Sequence, residues 1–165
     1  RFWPLNMRHK SLFKIMGKPI IYWTILGLKR TGVKEIIVIQ GPAKDIETEF
    51  ADYKMPGLKI RYLIQKEPKG MGNALWQARS FLEDKFLVLN AERVDAGEII
   101  QNSKFKIQNC KALLFGQKTK NPQLFGIARI KKDRILEIVE KPKKGKEPSN
   151  IRVLGLYLLE PRFFN

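Results

Sequence analysis

A cationic stretch opens the sequence: Arg1-Phe2-Trp3-Pro4-Leu5, then His9-Lys10-Ser11-Leu12, then Gly17-Lys18-Pro19 at the start of an apolar helical stripe. A cationic loop leading into a helix suits phosphate groups. A triphosphate carries several charged oxygens and its transfer spreads charge further, so catalysis needs fixed positive groups and a metal more than an acid or base. Arg1 and Lys10 fit that need; in a chain with thirty-two lysines and arginines they fit equally as solvated surface charges. Gln65 to Ala74 joins a strand to a helix through Pro68, Gly70 and Gly72, which by itself is a turn whose glycines supply unusual backbone angles. His9 has no second histidine or cysteine with which to share a metal, and Trp3, Trp23 and Trp76 read as packing residues.

The elements that must position these groups alternate between helical and strand periods from Pro19 to about Asn90, the rhythm of βαβ units. Pro19 stands at a helix start, Ile20, Ile21, Thr24, Ile25 and Leu28 form one stripe, and Thr31-Gly32 supplies the stop. Glu35 to Gln40 is almost all β-branched and apolar, the pattern of a strand buried on both faces in a parallel sheet. Asp45 to Tyr53 reads as a helix, Lys59 to Ile64 as a strand, Met71 to Leu82 as a helix and Lys85 to Leu89 as a buried strand. Beyond Lys111 the pattern changes to strands at Ala112 to Gln117, Phe125 to Lys131, Arg134 to Glu140 and Val153 to Leu159. The expected architecture is α/β, with a mostly parallel central sheet and a β-rich second half, and with the ligand at the carboxyl ends of the strands.

With 165 residues the chain fits one domain, and it begins with Arg1 rather than Met, so the reading is a single domain 1–165 cut at both ends from something longer. No apolar run is long enough to span a bilayer and no secretory leader pattern opens the chain, so it reads as cytoplasmic and without a membrane partner. Cys110 is the only cysteine, which excludes an internal disulfide and a cysteine-cluster metal site and suits a core filler in a reducing compartment. The formal charge of +16 raises the local concentration of polyanions: triphosphates, sugar phosphates or nucleic acid. Its lysines are densest at Lys141, Lys143, Lys144 and Lys146, without an arginine-rich arm or interleaved aromatics, so a nucleic-acid function is allowed but not indicated. A homo-oligomer is compatible with the sequence, which does not fix the state.

Taken in order, these segments resemble the sugar-phosphate nucleotidyltransferases, the glucose-1-phosphate thymidylyltransferase-like family that makes nucleoside-diphosphate sugars. Arg1 matches the arginine closing the family's Gly-rich loop, whose glycines would precede residue 1; Pro4-Leu5, Lys10 and Gly17-Lys18-Pro19 match the elements that follow. Gln65 to Ala74 is similar to the family's base-binding segment, which implies that Gln65 and Gly70 lie against the nucleobase, with Met71 replacing a threonine. Asn90-Ala91-Glu92 stands where the family ends a strand in Asn-Gly-Asp, implying a Mg²⁺ ligand at Glu92; the longer side chain shifts the carboxylate and Ala91 replaces a glycine. Asp95 could substitute, or serve as a helix cap.

Asn121 to Gly126, Glu140-Lys141-Pro142 and Ser149 to Tyr157 resemble the sugar-binding segments, implying sugar-phosphate contacts from Gly126, Glu140, Lys141 and Gly155, while Val153 replaces the sugar-binding asparagine. The resemblance implies a Rossmann-like three-layer α/β/α fold, Mg²⁺ as cofactor, Arg1 and Lys10 as catalytic cations, and a nucleoside triphosphate and a sugar 1-phosphate as substrates. The expected reaction transfers a nucleoside monophosphate, dTTP or UTP being the favoured donors, and releases pyrophosphate. Ala91, Glu92 and Val153 are compatible with a second reading, a catalytically silent relative that binds nucleotide or sugar nucleotide.

Overall fold

A computed structural model describes residues 9–103, 112–132 and 134–164. A 3-10 turn at Lys10–Leu12 leads into a small hairpin, β1 (Lys14–Ile15) against β2 (Lys18–Pro19), turned by Met16 and Gly17 at positive φ. Helix α1 (Ile20–Arg30) follows; Pro19 lies just outside it, as an N-cap with extended backbone. Its apolar stripe is buried at Ile21, Thr24, Ile25 and Leu28, spaced as a helical core face requires.

Two βα steps come next. Strand β3 (Glu35–Gln40), helix α2 (Asp45–Phe50) and strand β4 (Lys59–Ile64) form the first, with β3 and β4 parallel and in register from Glu35↔Lys59 to Gln40↔Ile64. Helix α3 (Met71–Ala78), extended by a 3-10 turn at Arg79–Phe81, and strand β5 (Phe86–Leu89) form the second. Helix α2 ends at Phe50 rather than Tyr53; Tyr53 then folds back on Phe50, Tyr22 and the Lys18 ammonium, 4.6 Å from its ring centre. Helix α4 (Ala96–Asn102) follows β5.

The second half is β-rich, as expected: β6 (Ala112–Lys118), β7 (Gly126–Lys131), β8 (Arg134–Glu140) and β9 (Ile151–Leu159). Strand β9 is its hub, pairing with β5, β6 and β7, while β7 and β8 form a hairpin. All these pairings are antiparallel, and they belong to the β-rich second half and its link to β5. Among the described residues the one parallel pair is β3 with β4, and β5 takes its partner from the second half of the chain.

The layers follow from side-chain alternation. Ile36 and Val38 of β3, with Ile60 and Tyr62 of β4, pack with Ile21, Ile25, Ile46 and Phe50 of α1 and α2. Leu87 and Leu89 of β5 pack with Leu28, Ala96 and Leu156. On the opposite face Arg61 lies over Phe81, and Phe86 stacks on Phe164, which meets Trp76 of α3 edge-on. Helices α1, α2 and α4 therefore cover one face and α3 the other, giving the α/β/α order. Trp76 is not a core residue: it is 48% exposed, with Arg79 over its ring.

Candidate functional site

The carboxyl ends of β4 and β5 and the turn before β1 meet at one cavity, whose lining includes His9, Lys10, Gln65, Gly70, Ala91 and Glu92. Lys10 reaches it because the 3-10 turn at Lys10–Leu12 buries Ser11 and Leu12, leaving the lysine outside; His9 Nδ1 caps the turn by accepting from the Ser11 backbone N–H at 3.3 Å. The Lys10 ammonium pairs with Glu92 Oε1, joining a half-exposed cation to a carboxylate whose side chain is 27% exposed. The loop carrying Glu92 is anchored from beneath, where the Thr24 hydroxyl of α1 donates to the Ala91 carbonyl at 2.8 Å. Ala91 itself is partly buried and packs against the core.

Gln65 follows directly on β4, and its backbone N–H donates to the Gln40 carbonyl at 2.8 Å, continuing the parallel pairing. Its side-chain amide donates to the Gly70 carbonyl at 3.2 Å and to Asn73 Oδ1 at 2.8 Å, folding the turn back over the start of α3. Gly70 is the N-cap of α3 at φ 88°, a backbone angle that L side chains rarely adopt, and a Cβ there would meet open space. That turn thus exposes backbone and an amide side chain at a helix start, where groups of a planar polar ligand can be met without steric hindrance.

Four of the expected site residues, Lys10, Gln65, Gly70 and Glu92, are brought together in this way. Arg1 lies outside the described residues, as do Trp3 and Cys110. The other group sits on the β-rich half. Gly126 pairs with Glu140 across β7 and β8, and a Cβ on Gly126 would stand 2.9 Å from Glu140 Oε2. Lys141 follows at φ 44°, its backbone N–H donating to the Phe125 carbonyl at 3.0 Å, so Gly126, Glu140 and Lys141 form one local cluster. They do not line the cavity. Gly155, at φ +66° in β9, lies on the side of the first group: the Asn90 side-chain amide is 3.7 Å from the position a Cβ would take, just ahead of Glu92 in the chain. Asn73 and Asn90 carry no signal in the sequence that marks them as partners of Gln65 and Gly155; those contacts depend on a folded turn and a strand pairing.

Glu92 is the acidic group of the cavity's carboxyl end, and no cluster of three histidine, cysteine, aspartate or glutamate side chains occurs among the described residues. A magnesium ion commonly takes one or two carboxylates and completes its shell with water and substrate phosphates, so a single half-buried carboxylate facing a cationic loop fits it. Asp95 stands at the N-cap position of α4, but its carboxylate makes no cap hydrogen bond and instead holds Arg93 Nε at 2.9 Å.

The profile of the family described as nucleotidyl transferase matches residues 1–165, the whole chain. This chain belongs to the nucleotidyl transferase family. It is 31% identical to the bifunctional protein GlmU of Methanococcus maripaludis over 167 residues, covering all of this chain and 38% of that protein. It is 27% identical to a UTP–glucose-1-phosphate uridylyltransferase of Bacillus subtilis, covering 94% of this chain and 64% of the relative. In three dimensions it resembles a Bacillus anthracis crystal structure provisionally assigned as a glucose-1-phosphate thymidylyltransferase, with a TM-score of 0.77 and 26% identity over 98% of this chain and 67% of that one. The likeness bears out the Rossmann-like α/β class of this nucleotidyl transferase chain. No helix among its described residues is long and apolar enough to cross a membrane.

Proposed function

We propose that the protein transfers a nucleoside monophosphate from a nucleoside triphosphate, with dTTP or UTP favoured, to a sugar 1-phosphate, giving a nucleoside-diphosphate sugar and pyrophosphate. The observation that carries this reading is the convergence of Lys10, Gln65, Gly70 and Glu92 on one cavity at the carboxyl ends of β4 and β5. A sugar-phosphate oxygen attacks the α-phosphorus, the bond from that phosphorus to the bridging oxygen breaks, and pyrophosphate leaves with the electron pair. Lys10, with Arg1, steadies the triphosphate, and an arriving phosphate competes with Glu92 for the Lys10 ammonium. Gln65 and the backbone at Gly70 face the base. Gly126, Glu140, Lys141 and Gly155 serve the sugar phosphate, Gly126 by leaving room for backbone approach. Glu92 would hold Mg²⁺, which when bound neutralises charge on the phosphate oxygens.

The pairing of Glu92 with Lys10 also favours a second reading, in which the two charges satisfy each other and the protein binds nucleotide or sugar nucleotide without turning it over. Pyrophosphate release by the complete protein, given Mg²⁺, a hexose 1-phosphate and each nucleoside triphosphate in turn, separates the two. Sugar-dependent release with dTTP or UTP is expected, and Lys10→Met lowers kcat/KM by about 10²–10³. Nucleotide binding without release at any donor selects the second reading.

A further inference from the structure

An amide side chain carries two N–H donors at one end and an acceptor oxygen at the other, so which end of Gln65 faces the cavity decides what it can read there. Its Nε2 donates to the Gly70 carbonyl at 3.2 Å and to Asn73 Oδ1 at 2.8 Å. A backbone carbonyl only accepts, so the Gly70 contact fixes the nitrogen end of Gln65 in the turn. The second N–H then calls for the oxygen of Asn73 rather than its nitrogen. Both donors of Gln65 are thereby used. Among the described residues no hydrogen bond is made to Gln65 Oε1, which leaves that oxygen as the polar side-chain atom Gln65 has to offer the cavity.

The two restraints on the amide are unequal. The bond to Gly70 is the longer and lies exposed, whereas the bond to Asn73 is shorter and partly buried. Asn73 stands half-buried in the first turn of α3, and unlike Gly70, Met71 and Ala74 around it, it does not line the cavity. It therefore acts on a ligand only through Gln65. Without Asn73, one exposed bond alone keeps the amide from turning its N–H end to the cavity. The orientation matters for a base: N3 of uracil or thymine carries a hydrogen that an oxygen accepts, whereas N3 of cytosine carries a lone pair, and two facing acceptors leave each other unsatisfied.

We propose that Asn73 is a positioning residue that sets base specificity: it locks the Gln65 amide with its oxygen toward the base, so that the site takes a pyrimidine bearing N3–H, uracil or thymine, and rejects cytosine. The inference rests on the reading that Gln65 faces the base, and it adds the residue that decides which atom of Gln65 does so. Asn73 is open to replacement without loss of the fold, because alanine is the better residue inside a helix.

Equilibrium binding of UTP, CTP and N3-methyl-UTP to the full-length protein, without sugar phosphate, tests it. The parent is expected to bind UTP about a hundredfold tighter than CTP or N3-methyl-UTP. In Asn73→Ala the preference for UTP over CTP should shrink to less than about tenfold, with Tm within about 2 °C of the parent. Asn73→Asp, which keeps an acceptor oxygen at the same place, should restore the preference. A ratio in Asn73→Ala that matches the parent's overturns the proposal. So does a parent that binds N3-methyl-UTP as tightly as UTP, or an Asn73→Asp variant no more selective than Asn73→Ala. Gln65→Ala separates this failure from that of the reading beneath it. Unchanged UTP affinity in that variant removes Gln65 from the base and overturns both, whereas lost affinity there with an unchanged ratio in Asn73→Ala overturns the role of Asn73 alone.

Discussion

Gly126 offers a sharp separation of binding from folding at a single residue. A Cβ there would meet Glu140 Oε2 at 2.9 Å and Ile138 Cγ2 at 3.3 Å, both side-chain atoms that can move while the β7–β8 backbone stays in place. Gly126→Ala is therefore expected to raise the KM for sugar 1-phosphate about tenfold by displacing the Glu140 carboxylate, with the KM for triphosphate unchanged and Tm within about 2 °C of the parent. Steady-state kinetics with each substrate varied in turn checks it, and equal shifts in both KM values would remove Gly126 and Glu140 from the sugar side. The site was legible at this scale where neighbours in sequence are neighbours in space, as in Gln65 to Gly70. It was illegible where contact joins distant residues: the Thr24 hydroxyl and the Ala91 carbonyl stand 67 positions apart. No spacing rule reveals that the loop bearing Glu92 is braced by the first helix.

Helix packing gives the next prediction, because α1 and α4 cross at two glycines that are not equivalent. A Cβ on Gly97 would lie 2.6 Å from the Gly27 carbonyl oxygen, 2.7 Å from its carbon and 3.0 Å from its Cα, all backbone, so the helices must separate. A Cβ on Gly27 meets nothing closer than 3.6 Å. Gly97→Ala should cost about 1–3 kcal/mol in urea denaturation, whereas Gly27→Ala should be neutral or stabilising by up to about 1 kcal/mol, since alanine is the better helix residue. Strand β4 carries a pH signature as well: burial, and then the nearby Glu47 charge, hold the Tyr62 phenol above its ordinary range. The unfolded chain ionises this group first, at about pH 10, so its stabilising contribution is complete below that pH and is lost as pH rises through the higher folded value. Urea midpoints at pH 8 and above pH 10 should fall less for Tyr62→Phe than for the parent. Elements themselves were readable from pattern, Ile36 to Ile39 announcing a strand and Ile21, Thr24, Ile25 and Leu28 a helix. Sheet order was not, because the Phe86↔Leu159 pairing joins segments whose periodicities carry no address for each other.

Charge acts over the whole molecule, and its spread decides between steering and a built nucleic-acid surface. The +16 excess is distributed along the sequence, but Lys143, Lys144 and Lys146 lie exposed in the turn after β8, close in chain to Glu140 and Lys141 and outside the proposed contacts. Charges so placed raise the local concentration of an anionic substrate without touching it, and a Debye length near 8 Å at physiological salt limits their reach. Replacing all three by alanine is expected to lower kcat/KM for sugar 1-phosphate by about threefold at 20 mM salt and to leave it unchanged at 300 mM, with kcat constant throughout. A loss that persists at high salt would mean direct contact, and would enlarge the sugar-phosphate site from Lys141 into this turn. RNA affinity in the parent that falls by about 10³ between 50 and 200 mM salt, and collapses in the triple variant, would instead make the same lysines part of a polyanion-binding face, since only several simultaneous phosphate contacts produce so steep a slope.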